Sequence, residues 1–131
     1  MGQWTEEGLE NLFDTYFATP GDYYVGLCSD SVIAKDAVFT DLTEVSGSGY
    51  AKIALTTLTT STYSTDDIKV TANEVTFNAT GTWTEAVLWF VVTPGVTSGT
   101  WVLVAWDALS AAVTLENGES QAVTATLTGT S

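Results

Sequence analysis

Two runs, Thr84 to Thr93 and Thr100 to Trp106, are apolar on both of the faces that a β-strand would present. A strand with one solvated face alternates apolar and polar residues, so these two demand cover on each side and are expected to be central in a sheet. Pro94-Gly95 and Ser98-Gly99 bound the segment between them, which is expected to close a hairpin. Further strands are predicted at Tyr23 to Cys28, at Tyr50 to Thr60, at Ile68-Lys69-Val70 and at Glu74 to Asn78, where Val75 and Phe77 share a face. Residues 29–47 are less regular, and Ser46-Gly47-Ser48-Gly49 reads as a flexible break. At the C-terminus, Ala112 to Glu116, Asn117-Gly118 and Gln121 to Thr128 form a hairpin pattern around a type I′ turn. In its second arm Val123, Ala125 and Leu127 alternate with Thr124, Thr126 and Thr128, one packed face against one threonine face.

The N-terminal segment has a different period. Leu9, Leu12, Phe13, Tyr16 and Phe17 fall on one helical stripe, Thr5 stands where a cap would, and Glu6 and Glu7 favour the positive end of the helix dipole. Pro20-Gly21 stops the helix. So short a helix is marginal alone, so its aromatic stripe must dock on its own sheet or on a neighbouring subunit. The expected fold is therefore mainly β: one β-sandwich or barrel-like domain over residues 1–131, with a short amphipathic helix over about 5–17 and a β-domain over about 22–129. A chain of 131 residues leaves no room for a second well-filled core.

Charge and missing side chains restrict the chemistry. Three lysines (Lys35, Lys52, Lys69) stand against 16 acidic residues, for a net charge of −13, and arginine is absent. Phosphate backbones and anionic bilayers need cations, so nucleic acid and membrane are not expected partners. No run approaches a membrane span, and Met-Gly-Gln-Trp-Thr-Glu-Glu lacks the pattern of a signal peptide. Without histidine there is no Ser-His or Cys-His relay, and the commonest transition-metal ligand is missing. Cys28, the single cysteine, lies in an apolar strand-like run and reads as a small buried hydrophobe. The carboxylate pairs Asp30/Asp36, Asp41/Glu44, Asp66-Asp67 and Glu116/Glu119 match no EF-hand and read as solvated turn charge rather than calcium ligands. The expectation is a non-enzyme with no catalytic residues, cofactor or metal.

The five tryptophans are the remaining chemistry. Trp89, Trp101 and Trp106 lie in apolar strands, where core packing explains them. Trp83 follows Gly81-Thr82 at a strand start and is the best placed for an exposed, sugar-stacking platform, which keeps a carbohydrate-binding module as an alternative. Contact with a partner protein is expected through Trp4, Phe13 and Phe17 on the helix side, or through Trp83, Trp89 and Trp101 on the strand side.

The segments Tyr23-Tyr24-Val25-Gly26-Leu27-Cys28, Thr43-Glu44-Val45-Ser46-Gly47-Ser48-Gly49-Tyr50-Ala51-Lys52 and Val75-Thr76-Phe77-Asn78-Ala79-Thr80-Gly81-Thr82-Trp83 follow the short helix in that order. This layout resembles a diverse family of small structural proteins of tailed bacteriophages, often described only as fibre-like. Where that family usually carries an arginine near the second segment, this chain has Lys52. The resemblance implies a virion component whose partners are the major capsid protein or other virion proteins. A capsid decoration (cement) protein on the head surface fits it best, working as a homo-oligomer with a trimer among the expected forms. A tail or fibre-attachment protein is the alternative within the family.

Overall fold

In the computed structural model residues 5–64 and 67–130 are described. Among these residues a helix α1 (Glu6–Tyr16) precedes nine strands: β1 (Tyr24–Cys28), β2 (Ile53–Ala54), β3 (Leu58–Ser64), β4 (Asp67–Ala72), β5 (Val75–Asn78), β6 (Ala86–Pro94), β7 (Trp101–Val113), β8 (Ser120–Val123) and β9 (Thr126–Thr130). They form three antiparallel sheets, ordered β2-β1-β6-β7, β3-β4-β9 and β5-β8. The domain is mainly β and sandwich-like, because the first sheet packs one face against the other two around a shared core.

The apolar run at β6 explains the architecture. Trp89 and Val91 face the shared core with Val25 and Leu27 of β1, where they meet Val70, Ala72, Val75, Phe77 and Val123 from the opposing sheets. Leu88, Phe90 and Val92 point the other way, into a second cluster with Cys28 and Ile33. That cluster is roofed by Ala37, Phe39 and Leu42, so the irregular 29–43 segment acts as the cover that two-sided apolar strands require. Gly26 stands opposite Phe90 in the β1–β6 register, and a β-carbon there would lie 2.3 Å from the Phe90 ring. The missing side chain lets the ring lie over bare backbone.

α1 is capped as its sequence predicts, with the Thr5 hydroxyl accepting from the Gly8 amide at 3.1 Å. Its stripe divides: Leu9 and Phe17 are buried, Phe13 is half-buried, and Leu12 and Tyr16 are exposed. Phe13 sits over Gly129, where a β-carbon would come within 2.3 Å of the ring. At the other end the Tyr23 hydroxyl donates to the Tyr16 carbonyl, one of the helix-terminal acceptors left without an intrahelical partner.

The expected strand Tyr50 to Thr60 is split into β2 and β3, which belong to different sheets, and three further expectations about strands and turns need correction. The run ending at Trp106 is not a central strand: β7 is the outer strand of its sheet, and Trp106 is 37% exposed rather than core. The Ala112–Thr128 hairpin does not form, because β8 pairs with β5 and β9 pairs with β4. Asn117-Gly118 does turn the chain, with Glu119 N donating to Glu116 O at 3.0 Å. However, only Gly118 has positive φ (88°), as in a type II turn, so the strand-twist match of a type I′ hairpin is absent. The third correction concerns Ser46 to Gly49, described below. The β6–β7 hairpin, Val75 and Phe77 on one face of β5, and buried Cys28 all match expectation.

Gly26→Ala should cost about 1–3 kcal/mol, since the methyl meets a packed ring that cannot withdraw. Gly21→Ala, with open space around it, should shift stability by less than about 1 kcal/mol. Urea unfolding of the two variants checks the contrast.

Candidate functional site

The two later segments of the family-like pattern lock onto each other. Ser46 N donates to Thr84 Oγ1 at 3.0 Å, and Thr84 N donates to Ser46 O at 2.9 Å. Ser48 O accepts both Thr80 N at 3.1 Å and the Trp83 indole N–H at 2.7 Å. Glycine is required twice in this clasp. Gly47 has φ 153° and a β-carbon on it would lie 2.3 Å from Trp83 Cδ1; Gly49 has φ 86° and would meet Thr80 Oγ1 at 2.7 Å. The glycines serve close backbone approach, and the expected flexible break is a bonded loop.

The same segment carries a charged network. Tyr50 donates its hydroxyl proton to Glu44 Oε2 at 2.6 Å and accepts from Leu27 N at 3.0 Å. Lys52 Nζ lies 3.2 Å from both Glu44 carboxylate oxygens, and 5.1 Å and 5.0 Å from the ring centres of Phe39 and Trp101. One of the three lysines is therefore committed to internal contacts: it pairs with Glu44 and joins Phe39 of the 29–43 cover to Trp101 at the start of β7 through two cation–π contacts. Burial raises the Tyr50 pKa well above that of an ordinary phenol, with the Glu44 carboxylate adding to the shift. Burial, with Tyr16 and Asp22 alongside, pushes Tyr23 up to about 12. Burial also pushes the Cys28 thiol up to about 12, against any role as a nucleophile at neutral pH. Other carboxylates brace backbone: Asp30 accepts from Thr43 N, Asp41 from Val38 N and Glu119 from Glu116 N. Among the described residues no three metal-ligating side chains gather into a cation site.

The residues expected to touch a partner do not form one surface. Trp83 is only 2% exposed, so it is a core residue rather than a platform, and its indole N–H is satisfied internally. Trp89 and Phe17 are buried as well. Trp101 is half-buried under Lys52 and packs edge-on against Tyr24, while Phe13 is half-buried on Gly129. Trp4 lies outside the described residues. The exposed large apolar side chains include Leu12 (43%), Tyr16 (46%), Val102 and Trp106. Only the pattern of β7 held a signal for Trp106, since a run that ends in polar and small residues after one tryptophan suits an edge.

A groove of about 860 Å³ lies between α1, β7, β9 and residues 33–37. Phe13, Tyr16, Leu103, Trp106 and Leu127 contribute to its walls, and its charged lining residues are Lys35 and Asp107. Elsewhere the surface is acidic, with Glu7, Asp14, Asp22, Asp36, Asp41, Glu74, Glu85, Glu116 and Glu119 all exposed. No known protein family, curated protein or solved structure matches this chain.

Gly47→Ala should cost about 1–3 kcal/mol in urea unfolding, because its methyl meets Trp83 backbone as well as its ring. Trp83→Phe, which loses the indole hydrogen bond to Ser48 O and leaves a small cavity in the core, should cost about 2–3 kcal/mol. The raised tyrosines also predict an alkaline limit. Their folded pKa values exceed the unfolded value near 10, so the fold binds protons the unfolded chain releases. Their contribution to stability is complete below about pH 10 and is lost as pH rises toward 12 and beyond. Urea midpoints between pH 8 and 12 test this; Tyr50→Phe should flatten the decline.

Proposed function

We propose that this protein is a non-enzymatic structural component of a tailed-phage virion: a decoration protein on the capsid surface that bridges neighbouring capsid subunits. The supporting observation is an acidic surface left uncompensated by the fold. Outside the groove, nine exposed carboxylates among the described residues are spread over the helix and loops, while Lys52 is consumed by Glu44 and two aromatic rings. Such a field repels packaged DNA and attracts basic patches on an outer protein lattice. The scaffold suits this work, because its loops are braced by backbone hydrogen bonds and tight glycine contacts rather than left free. Each contact with the lattice needs only modest strength, since many copies engage one particle.

Binding of the purified protein to particles of its source virus stripped of it tests this reading. The protein should cosediment with the particles, be released as salt screens the contact, and decorate the whole head in negative-stain immunolabelling. Label restricted to the tail or one vertex would favour the fibre-attachment alternative. Failure to cosediment at any salt would overturn the virion role.

A further inference from the structure

We infer that the α1–β7 face is the contact between two copies of this chain, related by a twofold axis. The inference stands apart from the virion reading, since it concerns the isolated protein.

The two edges of the β2-β1-β6-β7 sheet are managed differently. At β1 the outer edge is covered, by β2 at Tyr24 and Val25, and by residues 43–45 through the Cys28–Glu44 bridge and the Val45 N to Leu27 O bond at 2.9 Å. At β7 no strand lies on the outer side among the described residues. An uncovered apolar edge is a hazard that proteins either blunt or use. This one is blunted as a hydrogen-bonding template: Val104 is an extra residue against the Val91–Val92 step, and the four residues 109–112 stand against Val87 alone. Bulges of that kind break the regular ladder on which an added strand would zip. What remains for a partner is side-chain surface, namely Trp106 on β7 across the groove from Tyr16 on α1, with exposed Leu12 one helical turn before Tyr16.

Charge decides the occupant. The chain carries −13 overall, yet the groove is lined by one cation and one anion, Lys35 and Asp107. β7 itself holds a single charge, Asp107, in 13 residues, and of the acids on α1, Glu7, Glu10 and Asp14 fall at helical positions more than about 100° around from Leu12 and Tyr16. A strongly basic partner would gain more almost anywhere else on this surface. A second copy can approach only where its acids do not face acids, and this face meets that condition. The opposite charges of Lys35 and Asp107 also make it complementary to itself. A twofold contact places the same patch on both sides, whereas a threefold one needs two different patches that fit each other. The lengths suffice: 11 residues of α1 and 13 of β7 run for roughly 16 Å and 40 Å. A specific interface takes roughly 600–800 Å² from each copy.

Sedimentation equilibrium of the full chain tests the inference. Dimers are expected, with a dissociation constant that tightens several-fold between about 0.05 M and about 0.5 M NaCl as repulsion between like-charged copies is screened. Trp106→Glu should weaken the dimer at least tenfold. Val96→Glu, which adds the same charge at a fully exposed loop position, should leave it unchanged, and circular dichroism should show both variants folded. A monomer at about 100 µM in both salts, a trimer, or a dimer indifferent to Trp106→Glu would overturn the proposal. None of these outcomes bears on cosedimentation with particles, so the two readings fail separately.

Discussion

The fold depends on burying the β1–β6 pair on both faces. Side chains alternate across a strand, so a strand with no polar face commits the chain to building two covers. One cover is the pair of smaller sheets, which supply Val70, Ala72, Phe77 and Val123. The other is the 29–43 segment, with Ile33 and Phe39 over Leu88, Phe90 and Val92. Every unusual local feature serves one of these covers. Gly26 admits the Phe90 ring, Lys52 ties the outer cover to Trp101, and the 46–49 clasp holds the crossing between the two layers against Trp83.

Patterns that depend on near neighbours were legible in the chain. The capped helix, the β5 alternation, the β6–β7 hairpin and the burial of Cys28 each follow from a few adjacent residues. Partners distant in sequence were not legible. Asn117-Gly118 looks like a hairpin turn, but Ala79 lies across from it: Gly118 N donates to Ala79 O and Ala79 N donates to Glu119 O, both at 2.9 Å. Those bonds draw β8 to β5 instead of back along β7. Ser46 to Gly49 looks like slack because glycine is permissive in isolation, yet its freedom is used for contact with residues 80–84, more than thirty positions away. Trp83 misleads for the same reason. A tryptophan beside a turn carries no mark of the carbonyl its indole will reach.

The functional picture follows from where the chain spends its few strong groups. Its aromatics mostly fill the core, the Glu44–Tyr50–Lys52 network braces a loop, and several carboxylates hold backbone amides. Two kinds of surface remain, an acidic body and one nearly neutral apolar face. The two proposed contacts use these surfaces with opposite salt dependence: added salt weakens the proposed lattice contact and tightens the proposed contact between copies.

Native-state hydrogen exchange of the backbone amides tests the account at its root. Hydrogen-bonded amides in Gly26–Cys28 and Leu88–Val92, with those of Ser46, Thr80 and Thr84 in the clasp, should exchange only through global unfolding and share its free energy. Fast exchange across the 46–49 clasp while β6 stays protected would show that the loop is slack and that the two covers are not held as one unit.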